Sequence, residues 1–339
     1  MDTSLTPFLK RVFSGETLPE QEAAQAFSII LGGHAPSIEI AGFLGALAGR
    51  GETIDEIVGA VKTLREKATM IDAPPDIVDC CGTGGDHAGT FNISTAVAFV
   101  LAGCGVRVAK HGNRASSSQS GSADVLEALG LNLNASTIAV RKALWEHNLC
   151  FFMAPHYNPA MRHVIETRKA LKTRTIFNLL GPLLNPAGAK HQLIGVYDQK
   201  WCLPIAQTLN RLGTEHAWVV HGQDGLDEIT TTTTTTVTAL KNGQIKTYDI
   251  HPKDIGLDLC SAQDLQGGDA TQNAKALKDL LHGQPGPYRD IVIFNTAAAL
   301  IVSGKAQTLQ DGADHACQSI DSGAALNALN QLIETYSNG

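Results

Sequence analysis

The feature that most constrains the fold is a short apolar strand followed by a glycine-rich turn, an uncharged helix and a second strand. Residues 77–81 are typical of a buried strand, residues 94–102 predict a helix, and residues 106–109 predict the next strand. This order implies two parallel strands joined by a right-handed crossover. The chain is therefore expected to contain an α/β domain with a mainly parallel central sheet.

Other segments predict the rest of the sheet. Further strands are expected at residues 150–153, 193–196, 217–221 and 291–294. Residues 237–250 place Asn242-Gly243 between two alternating runs, which predicts a β-hairpin. The threonine run 230–236 favours a strand, with low-complexity disorder as the alternative. The tail from about Asn295 has helical composition.

The first 70 residues predict a separate helical unit. Residues 17–20 predict a helix N-cap with a proline early in the first turn and a capping-box glutamate, and residues 53–56 repeat the capping-box pattern. Residues 40–48 are apolar all round, so that helix should be buried by its own domain or by a second subunit. The pattern changes at residues 73–75, which indicates a boundary or hinge. We expect a small helical N-terminal domain (1–72, with helices from about 170–190 as possible additions) and a larger α/β domain (73–339).

Composition argues against several classes of protein. A net charge of −7 disfavours a nucleic-acid-binding protein. The seven cysteines form no CxxC pair, which indicates reduced thiols and argues against a zinc site. Neither a signal peptide nor an apolar run of membrane-spanning length is apparent. The sequence thus predicts a soluble cytoplasmic protein.

The glycine-rich turn is the first candidate binding element. Gly82-Thr83-Gly84-Gly85-Asp86 follows a predicted strand, and glycines allow a backbone to approach phosphate closely. A simple tight turn is the structural alternative. The turn matches neither GxGxxG nor GxxxxGK[ST], so the usual dinucleotide and nucleoside-triphosphate interpretations fail.

Polar residues after both strands favour the binding interpretation. Residues 90–95 put hydroxyl and amide groups at the start of the uncharged helix, where they could cap the helix or bind an anion. Residues 110–118 add two cations, an amide and several hydroxyls at the end of the second strand. Together they predict a cradle for a highly charged ligand.

Asp227 and Glu228 form the third candidate element. Adjacent carboxylates beside a glycine turn are usually a solvated loop. Beside a pyrophosphate site, however, they could hold magnesium that also bridges phosphate oxygens.

These motifs resemble the anthranilate phosphoribosyltransferases, which belong to the nucleoside phosphorylase-like phosphoribosyltransferase fold group. The resemblance runs nearly end to end in GTGGD, NIST, KHGNRASSS, SGSADVLEALG, RTIFNLLGPLLNPA and DGLDE, and in residues 267–270, 273–274 and 321–323. Asn158 departs from the pattern, because the family often has a histidine there. The run of threonines at residues 230–236, just after Glu228, is also unusual for the family.

The resemblance implies a ligand for each element. It implies that phosphoribosyl pyrophosphate (PRPP) contacts Gly82, Gly85, Asp86, Thr90, Asn92, Ile93, Ser94, Thr95, Lys110, His111, Gly112, Asn113, Arg114, Ala115, Ser116, Ser117, Ser118 and Ser122. It implies that Ser94, Asp227 and Glu228 hold two Mg²⁺ ions. It also implies that Gly82, Asn113 and Arg168 contact anthranilate, with Arg168 facing the carboxylate.

The implied reaction is attack of the anthranilate amine on the anomeric carbon of PRPP, with pyrophosphate leaving, as a step of tryptophan biosynthesis. No general acid or base is assigned, and His111 is left open as base or hydrogen-bond donor. The resemblance also implies a homodimer, and association with anthranilate synthase stays open. A pyrimidine nucleoside phosphorylase and a non-catalytic nucleic-acid-binding relative are the alternatives.

Overall fold

The chain begins with a bundle of four helices. The computed structural model describes residues 4–115 and 119–338, and these helices are α1 (Thr6–Phe13), α2 (Glu20–Leu31), α3 (Ser37–Arg50) and α4 (Ile54–Lys67). Apolar side chains from all four helices are buried in one core.

The start of α4 confirms the predicted capping box. The Glu56 N–H donates to Thr53 Oγ1 over 3.3 Å, and the Thr53 N–H donates to Glu56 Oε2 over 2.9 Å. The predicted cap at Thr17 is wrong, because Pro19 is extended with ψ 157° and α2 begins only after it. The Leu18 N–H donates instead to Glu56 Oε1 over 3.0 Å.

The larger part of the chain is built on a seven-stranded mixed sheet, which confirms the predicted fold class. The strands are β1 (Val78–Gly82), β2 (Val108–Gly112), β3 (Leu149–Met153), β4 (His191–Gly195), β5 (His216–Gly222), β6 (Thr235–Lys241) and β7 (Gln244–Ile250). Their spatial order is β3-β2-β1-β4-β5-β6-β7; the first five run parallel, and β6 and β7 extend the sheet antiparallel.

Helices cover both faces of this sheet. They are α5 (Ile93–Gly103), α6 (Ser122–Ala128), α7 (Thr137–His147), α8 (Ala154–Tyr157), α9 (Arg162–Leu171), α10 (Phe177–Leu180), α11 (Cys202–Arg211), α12 (Ala270–Leu281), α13 (Pro287–Val302), α14 (Leu309–Asp321) and α15 (Ala324–Ser337). Short 3₁₀ helices occur at Pro159–Met161, Gly181–Leu183, Gln199–Trp201, Pro252–Ile255 and Ala262–Leu265. Along β5, Trp218 and Val220 join the core on one face, whereas Ala217 and Val219 join the core that includes the N-terminal bundle.

Two helices from the middle of the chain pack against the N-terminal bundle. The Phe27 ring meets the rings of Phe43 and Phe177 edge-on, each with a centroid distance of 5.9 Å. Phe177 begins α10, and Val164 of α9 is buried in the same core. The expected boundary near residue 72 stays a prediction.

The predicted hairpin is confirmed, and one predicted strand is wrong. Asn242 (φ 47°) and Gly243 (φ 80°) both adopt the left-handed conformation that joins β6 to β7. Residues 291–294, by contrast, lie in the middle of α13. That helix is buried on nearly all sides, so its apolar run has no period that separates helix from strand.

The threonine run is a strand only at its end. Thr235 and Thr236 begin β6, but residues 230–234 form a loop. Thr230 and Thr232 donate their hydroxyl protons to Asp224 Oδ2 over 2.6 and 2.5 Å. The hydroxyls also accept from the backbone, since Thr235 Oγ1 accepts from the Thr230 N–H and Thr230 Oγ1 from the Thr232 N–H, each over 3.0 Å. Such side-chain to backbone bonds compete with strand pairing, which explains why strand propensity fails there.

Two further sequence expectations concern the whole chain. All seven cysteines lie in described positions, and none forms a disulfide. Within residues 4–115 and 119–338, no helix is long and apolar enough to cross a membrane.

Candidate active site

The candidate site lies where the strand order reverses. From β1 the chain continues to β2 and β3 on one side, and later returns to β4 on the other side of β1. In an open parallel sheet this reversal leaves a crevice at the carboxyl ends of the strands, where ligands usually bind. The predicted site residues other than Arg168 lie in the loops after β1, β2 and β5 or in the ends of the strands and helices that border these loops.

Four of the five parallel strands end in a glycine. Neighbouring side chains or backbone atoms occupy the space that a Cβ would need at these positions. A Cβ at Gly112 would lie 2.3 Å from Ser122 Oγ, and one at Gly222 would lie 2.4 Å from Asp224 Oδ1. A Cβ at Gly82 would lie 2.2 Å from Asp227 Oδ2, and one at Gly195 would lie 1.5 Å from the Asp227 carbonyl oxygen.

Asp227 therefore lies directly against the carboxyl ends of β1 and β4. Its Oδ2 accepts a hydrogen bond of 2.6 Å from the Gly84 N–H in the glycine-rich turn. Burial raises the pKa of Asp227 well above its usual range, and the nearby carboxylates of Asp86 and Glu228 raise it further. A cation among these three carboxylates would favour their ionised forms.

Glu228 faces the other polar groups of the cradle. Its Oε1 accepts a hydrogen bond of 3.2 Å from the Ser94 N–H in the first turn of α5. Burial raises its pKa to about 7, although the charge of Lys110 opposes this shift. Lys110 is only 3% exposed and donates to the Cys80 carbonyl over 2.7 Å and to Ser94 Oγ over 3.2 Å.

The start of α5 presents backbone rather than side chains at two predicted positions. Ile93 and Thr95 are 2% and 1% exposed, so their side chains lie in the core. Asn92 is the N-cap residue and Ser94 is partly exposed. The backbone N–H groups of this turn are the usual anion-binding groups of a helix.

The glycine-rich turn has a left-handed backbone conformation that glycine adopts readily and other residues disfavour. Gly84 and Gly85 have φ of 67° and 80°, a region that side chains disfavour. Arg174 donates to the Gly85 carbonyl, and its guanidinium lies 4.2 Å from the centroid of the Tyr197 ring. The segment after α9 therefore contacts this turn directly.

The second loop is organised by Asp124 of α6. Asp124 Oδ2 accepts hydrogen bonds from the N–H groups of Ala115 and Gly121 over 2.8 and 3.0 Å, and its other oxygen binds Arg114 over 2.9 Å. Ser122 Oγ accepts from the Asn113 N–H over 3.2 Å. The predicted Ser116, Ser117 and Ser118 lie outside the described residues.

His111 is held beneath this loop by buried polar groups. Its N–H donates to Asp79 Oδ1 over 3.2 Å, and its Nδ1 lies 3.2 Å from the Gly181 carbonyl oxygen. Burial lowers the pKa of His111, which favours the neutral ring. Since a carbonyl oxygen only accepts, Nδ1 carries the proton and Nε2 is left as an acceptor without a partner among the described residues.

Arg168 lies in the last turn of α9. Its guanidinium is partly buried, 5.4 Å from the centroid of the Phe177 ring. It forms no hydrogen bond or ion pair with residues 4–115 or 119–338, and burial lowers its pKa. No contact joins it to the glycine-rich turn, which Arg174 reaches instead. Asn158, the departure noted in the sequence, is 4% exposed.

Sequence reasoning missed several residues that support the site. Asn295 is fully buried on α13 and binds both the N–H (2.9 Å) and the carbonyl (2.7 Å) of Ile229, next to Glu228. Asp124 and Arg174 were missed as well. A polar residue inside an apolar helical run is the one signal that could have identified Asn295.

Comparison with known proteins agrees with this arrangement. Residues 74–326 match the α/β domain of a glycosyl transferase family, and residues 6–68 match its helical bundle domain. The chain is 54% identical over 325 residues to the anthranilate phosphoribosyltransferase of Paramagnetospirillum magneticum, covering 96% of this chain and 94% of the relative. It is 55% identical over 322 residues to that of Rhodospirillum rubrum, covering 95% and 93%.

Solved structures give the same result. Anthranilate phosphoribosyltransferase from Thermus thermophilus superposes with a TM-score of 0.93 at 38% identity, covering 99% of this chain and all of that one. The Saccharomyces cerevisiae enzyme in complex with PRPP and Mg superposes with a TM-score of 0.91 at 30% identity, covering 100% and 99%. The resemblance expected from the motifs is thereby confirmed, and the chain belongs to this glycosyl transferase family, with both its helical bundle domain and its α/β domain.

Proposed function

We propose that this protein transfers the 5-phosphoribosyl group of PRPP to anthranilate, giving N-(5-phosphoribosyl)anthranilate and pyrophosphate in tryptophan biosynthesis. The observation that carries the proposal is a pair of buried carboxylates at the strand-order reversal: Asp227 lies against the ends of β1 and β4, and Glu228 faces Ser94 and Lys110. The name shared by relatives 54% and 55% identical over nearly the whole chain supports the same reaction.

The PRPP site that we propose comprises the predicted residues of the two loops and of the start of α5. Lys110 contributes a buried positive charge, held in place by the Cys80 carbonyl and Ser94 Oγ. Gly82 and Gly85 allow close approach of the backbone, and the first turn of α5 offers N–H groups to phosphate.

The residues Ser94, Asp227 and Glu228 fit Mg²⁺. They offer hard oxygen ligands, and the two buried carboxylates have raised pKa values, which a bound cation would lower. We propose that they hold two ions. Bound Mg²⁺ would offset the charge of the departing pyrophosphate.

Arg168 is the proposed partner of the anthranilate carboxylate. A partly buried guanidinium without a hydrogen-bond partner is costly, and a carboxylate satisfies it through paired hydrogen bonds. Gly82 and Asn113 are proposed to contact the same substrate.

The chemistry asked of this chain is orientation and charge stabilisation. The anthranilate amine attacks the anomeric carbon as the bond to pyrophosphate breaks, and Lys110 and the loop N–H groups stabilise the charge that develops on the leaving group. An aniline nitrogen attacks without prior deprotonation. The attack therefore needs no general base, and Nε2 of neutral His111, which has no partner among the described residues, carries no proton to donate to the leaving group, so we assign neither a general base nor a general acid.

We further propose a homodimer that forms through the N-terminal bundle. Ile38 on α3 and Phe13 on α1 are 79% and 65% exposed, and Gly42 of α3 lies beside Phe13. We also propose a cytoplasmic location, since free thiols are typical of a reducing compartment. Association with anthranilate synthase stays a prediction, which co-purification tests.

The decisive experiment follows anthranilate fluorescence with purified protein, PRPP and Mg²⁺, omitting each component in turn. Decay that requires all components supports the proposal, and Asp227→Asn should abolish it with a shifted Mg²⁺ dependence. Persistent fluorescence in a folded sample that binds PRPP contradicts it. Phosphorolysis of thymidine would then favour a nucleoside phosphorylase, and a salt-dependent gel shift would favour nucleic-acid binding.

A further inference from the structure

The motif formed by residues 267–270 and Asn273 is part of the family resemblance but lies outside the proposed PRPP, Mg²⁺ and anthranilate sites. The structure places it against residues 89–91, in the part of the loop after β1 that follows the glycine-rich turn. The Gly267 N–H donates to the Gly89 carbonyl over 2.9 Å, and the Phe91 N–H donates to the Leu265 carbonyl over 3.1 Å. Thr90 pairs with Gln266 in an antiparallel bridge. The last part of the loop after β1 is thus bound to a segment about 175 residues later in the chain.

Asn273 closes this contact from inside the protein. It is 2% exposed, in the second turn of α12. Its Nδ2 donates to Asn92 Oδ1 over 2.8 Å, and its Oδ1 accepts from the Gly268 N–H over 2.7 Å. Both ends of the Asn273 amide are therefore occupied, which fixes its orientation.

Asn92 is in turn fixed between two loops. Its Nδ2 donates to the Ser120 carbonyl over 3.2 Å, at the end of the loop after β2. Its own carbonyl accepts from the Tyr288 hydroxyl over 3.2 Å, and the Tyr288 ring stacks on Phe91 at a centroid distance of 4.4 Å. Asn92 thus joins the end of the loop after β1 to the loop after β2, and Asn273 supplies the hydrogen bond that sets the direction of its amide.

We propose that Asn273 is a positioning residue for PRPP: it orients Asn92 so that the end of the loop after β1 and Ser120 in the loop after β2 are held together as one preorganised cradle. This inference rests on the proposed function. Asn273 is buried and acts on the substrate only through Asn92. Loss of its donor would leave the fold intact but let the two loops move apart.

The test is Asn273→Asp, which keeps the shape of the side chain and its acceptor for Gly268 but places a carboxylate oxygen against Asn92 Oδ1. A lost hydrogen bond of this kind corresponds to roughly tenfold in an equilibrium constant. We expect the KM for PRPP and the Kd for PRPP by titration calorimetry to rise about tenfold or more, with kcat and the KM for anthranilate within about threefold of wild type. Asn132→Asp is the matched control. It removes a donor to the Tyr336 carbonyl outside the site and should leave all four constants unchanged.

A double variant tests the route of the effect. Because Asn273 acts through Asn92, adding Asn273→Asp to Asn92→Ala should weaken PRPP binding no further than Asn92→Ala alone. Additive losses would overturn the inference, and so would a folded Asn273→Asp protein with wild-type PRPP affinity. If Asn273→Asp fails to fold, Asn273→Ala removes the donor without added charge and enters the same comparisons. Failure of the wild-type protein to consume anthranilate would instead contradict the proposed function, and PRPP titration would still test the contact.

Discussion

A single methyl group at Gly195 should disable the site while leaving the rest of the fold in place. The Cβ of Gly195→Ala would lie 1.5 Å from the carbonyl oxygen and 2.3 Å from the carbonyl carbon of Asp227. Real Cβ atoms essentially never approach another heavy atom more closely than 3.0 Å. The end of β4 and the Asp227 backbone must therefore separate by about 1.5 Å, and neither is a flexible side chain.

A displacement of this size has two measurable consequences. Misplacing a reacting group or ligand by about 1 Å commonly costs about 100-fold in rate, so kcat/KM should fall by at least about that factor. Overpacking costs typically about 1–3 kcal/mol, so the free energy of unfolding should fall within that range. Initial rates of anthranilate consumption across Mg²⁺ concentrations, together with urea unfolding, measure both.

The matched control is Gly59→Ala. Its Cβ would lie 2.6 Å from the Glu20 carbonyl oxygen, so α2 and α4 must move apart, far from the strand ends. It should lose comparable stability and retain kcat in the folded fraction. If Gly195→Ala kept wild-type kcat/KM and Mg²⁺ dependence, the assignment of Asp227 to the site would be refuted.

Three other changes test different parts of the molecule. Arg168→Lys should raise the KM for anthranilate at least about tenfold, because an ammonium cannot replace a paired charge-assisted contact; an unchanged KM would remove Arg168 from the site. Glu56→Gln breaks a buried ion pair with Arg50 and should cost about 3 kcal/mol in urea unfolding, whereas a loss near zero would contradict the importance of that pair. Burial lowers the pKa of His216 to about 4, whereas a histidine in the unfolded chain has a pKa of about 6.5. Between about pH 4 and 6.5 the unfolded chain therefore binds more protons than the folded protein does. Stability should rise with pH across that window, and His216→Asn should flatten melting temperature against pH from about 4 to 6.5, while an unchanged profile would reject this linkage.

The sequence predicted the parts of the fold that local chemistry determines. The helix after the glycine-rich turn, the hairpin at Asn242-Gly243 and the capping box at Thr53 each follow from residues close together in the chain. The strand expected at residues 291–294 was wrong because a fully buried helix has no exposed face to reveal its period. The Thr17 cap was wrong because Leu18 binds Glu56, 38 residues away.

The same distinction applies to the candidate site. The loops that follow β1, β2 and β5 could be predicted from their polar residues. Asn273 and Asn295 could not be placed, since each binds the backbone or side chain of a residue far away in the chain. Such contacts depend on tertiary packing, which spacing along the chain does not encode.

The glycines that end β1, β2, β4 and β5 carry a consequence for how this protein tolerates change. Each acts by leaving room, so the positions most sensitive to substitution include residues with no functional group at all. Even a conservative replacement is harmful there, because alanine is the smallest residue with a Cβ. At two of the four positions, Gly82 and Gly195, that Cβ would clash with Asp227. Redesign of the proposed acceptor specificity should therefore begin on α9, which carries Arg168, and leave the four strand-end glycines unchanged.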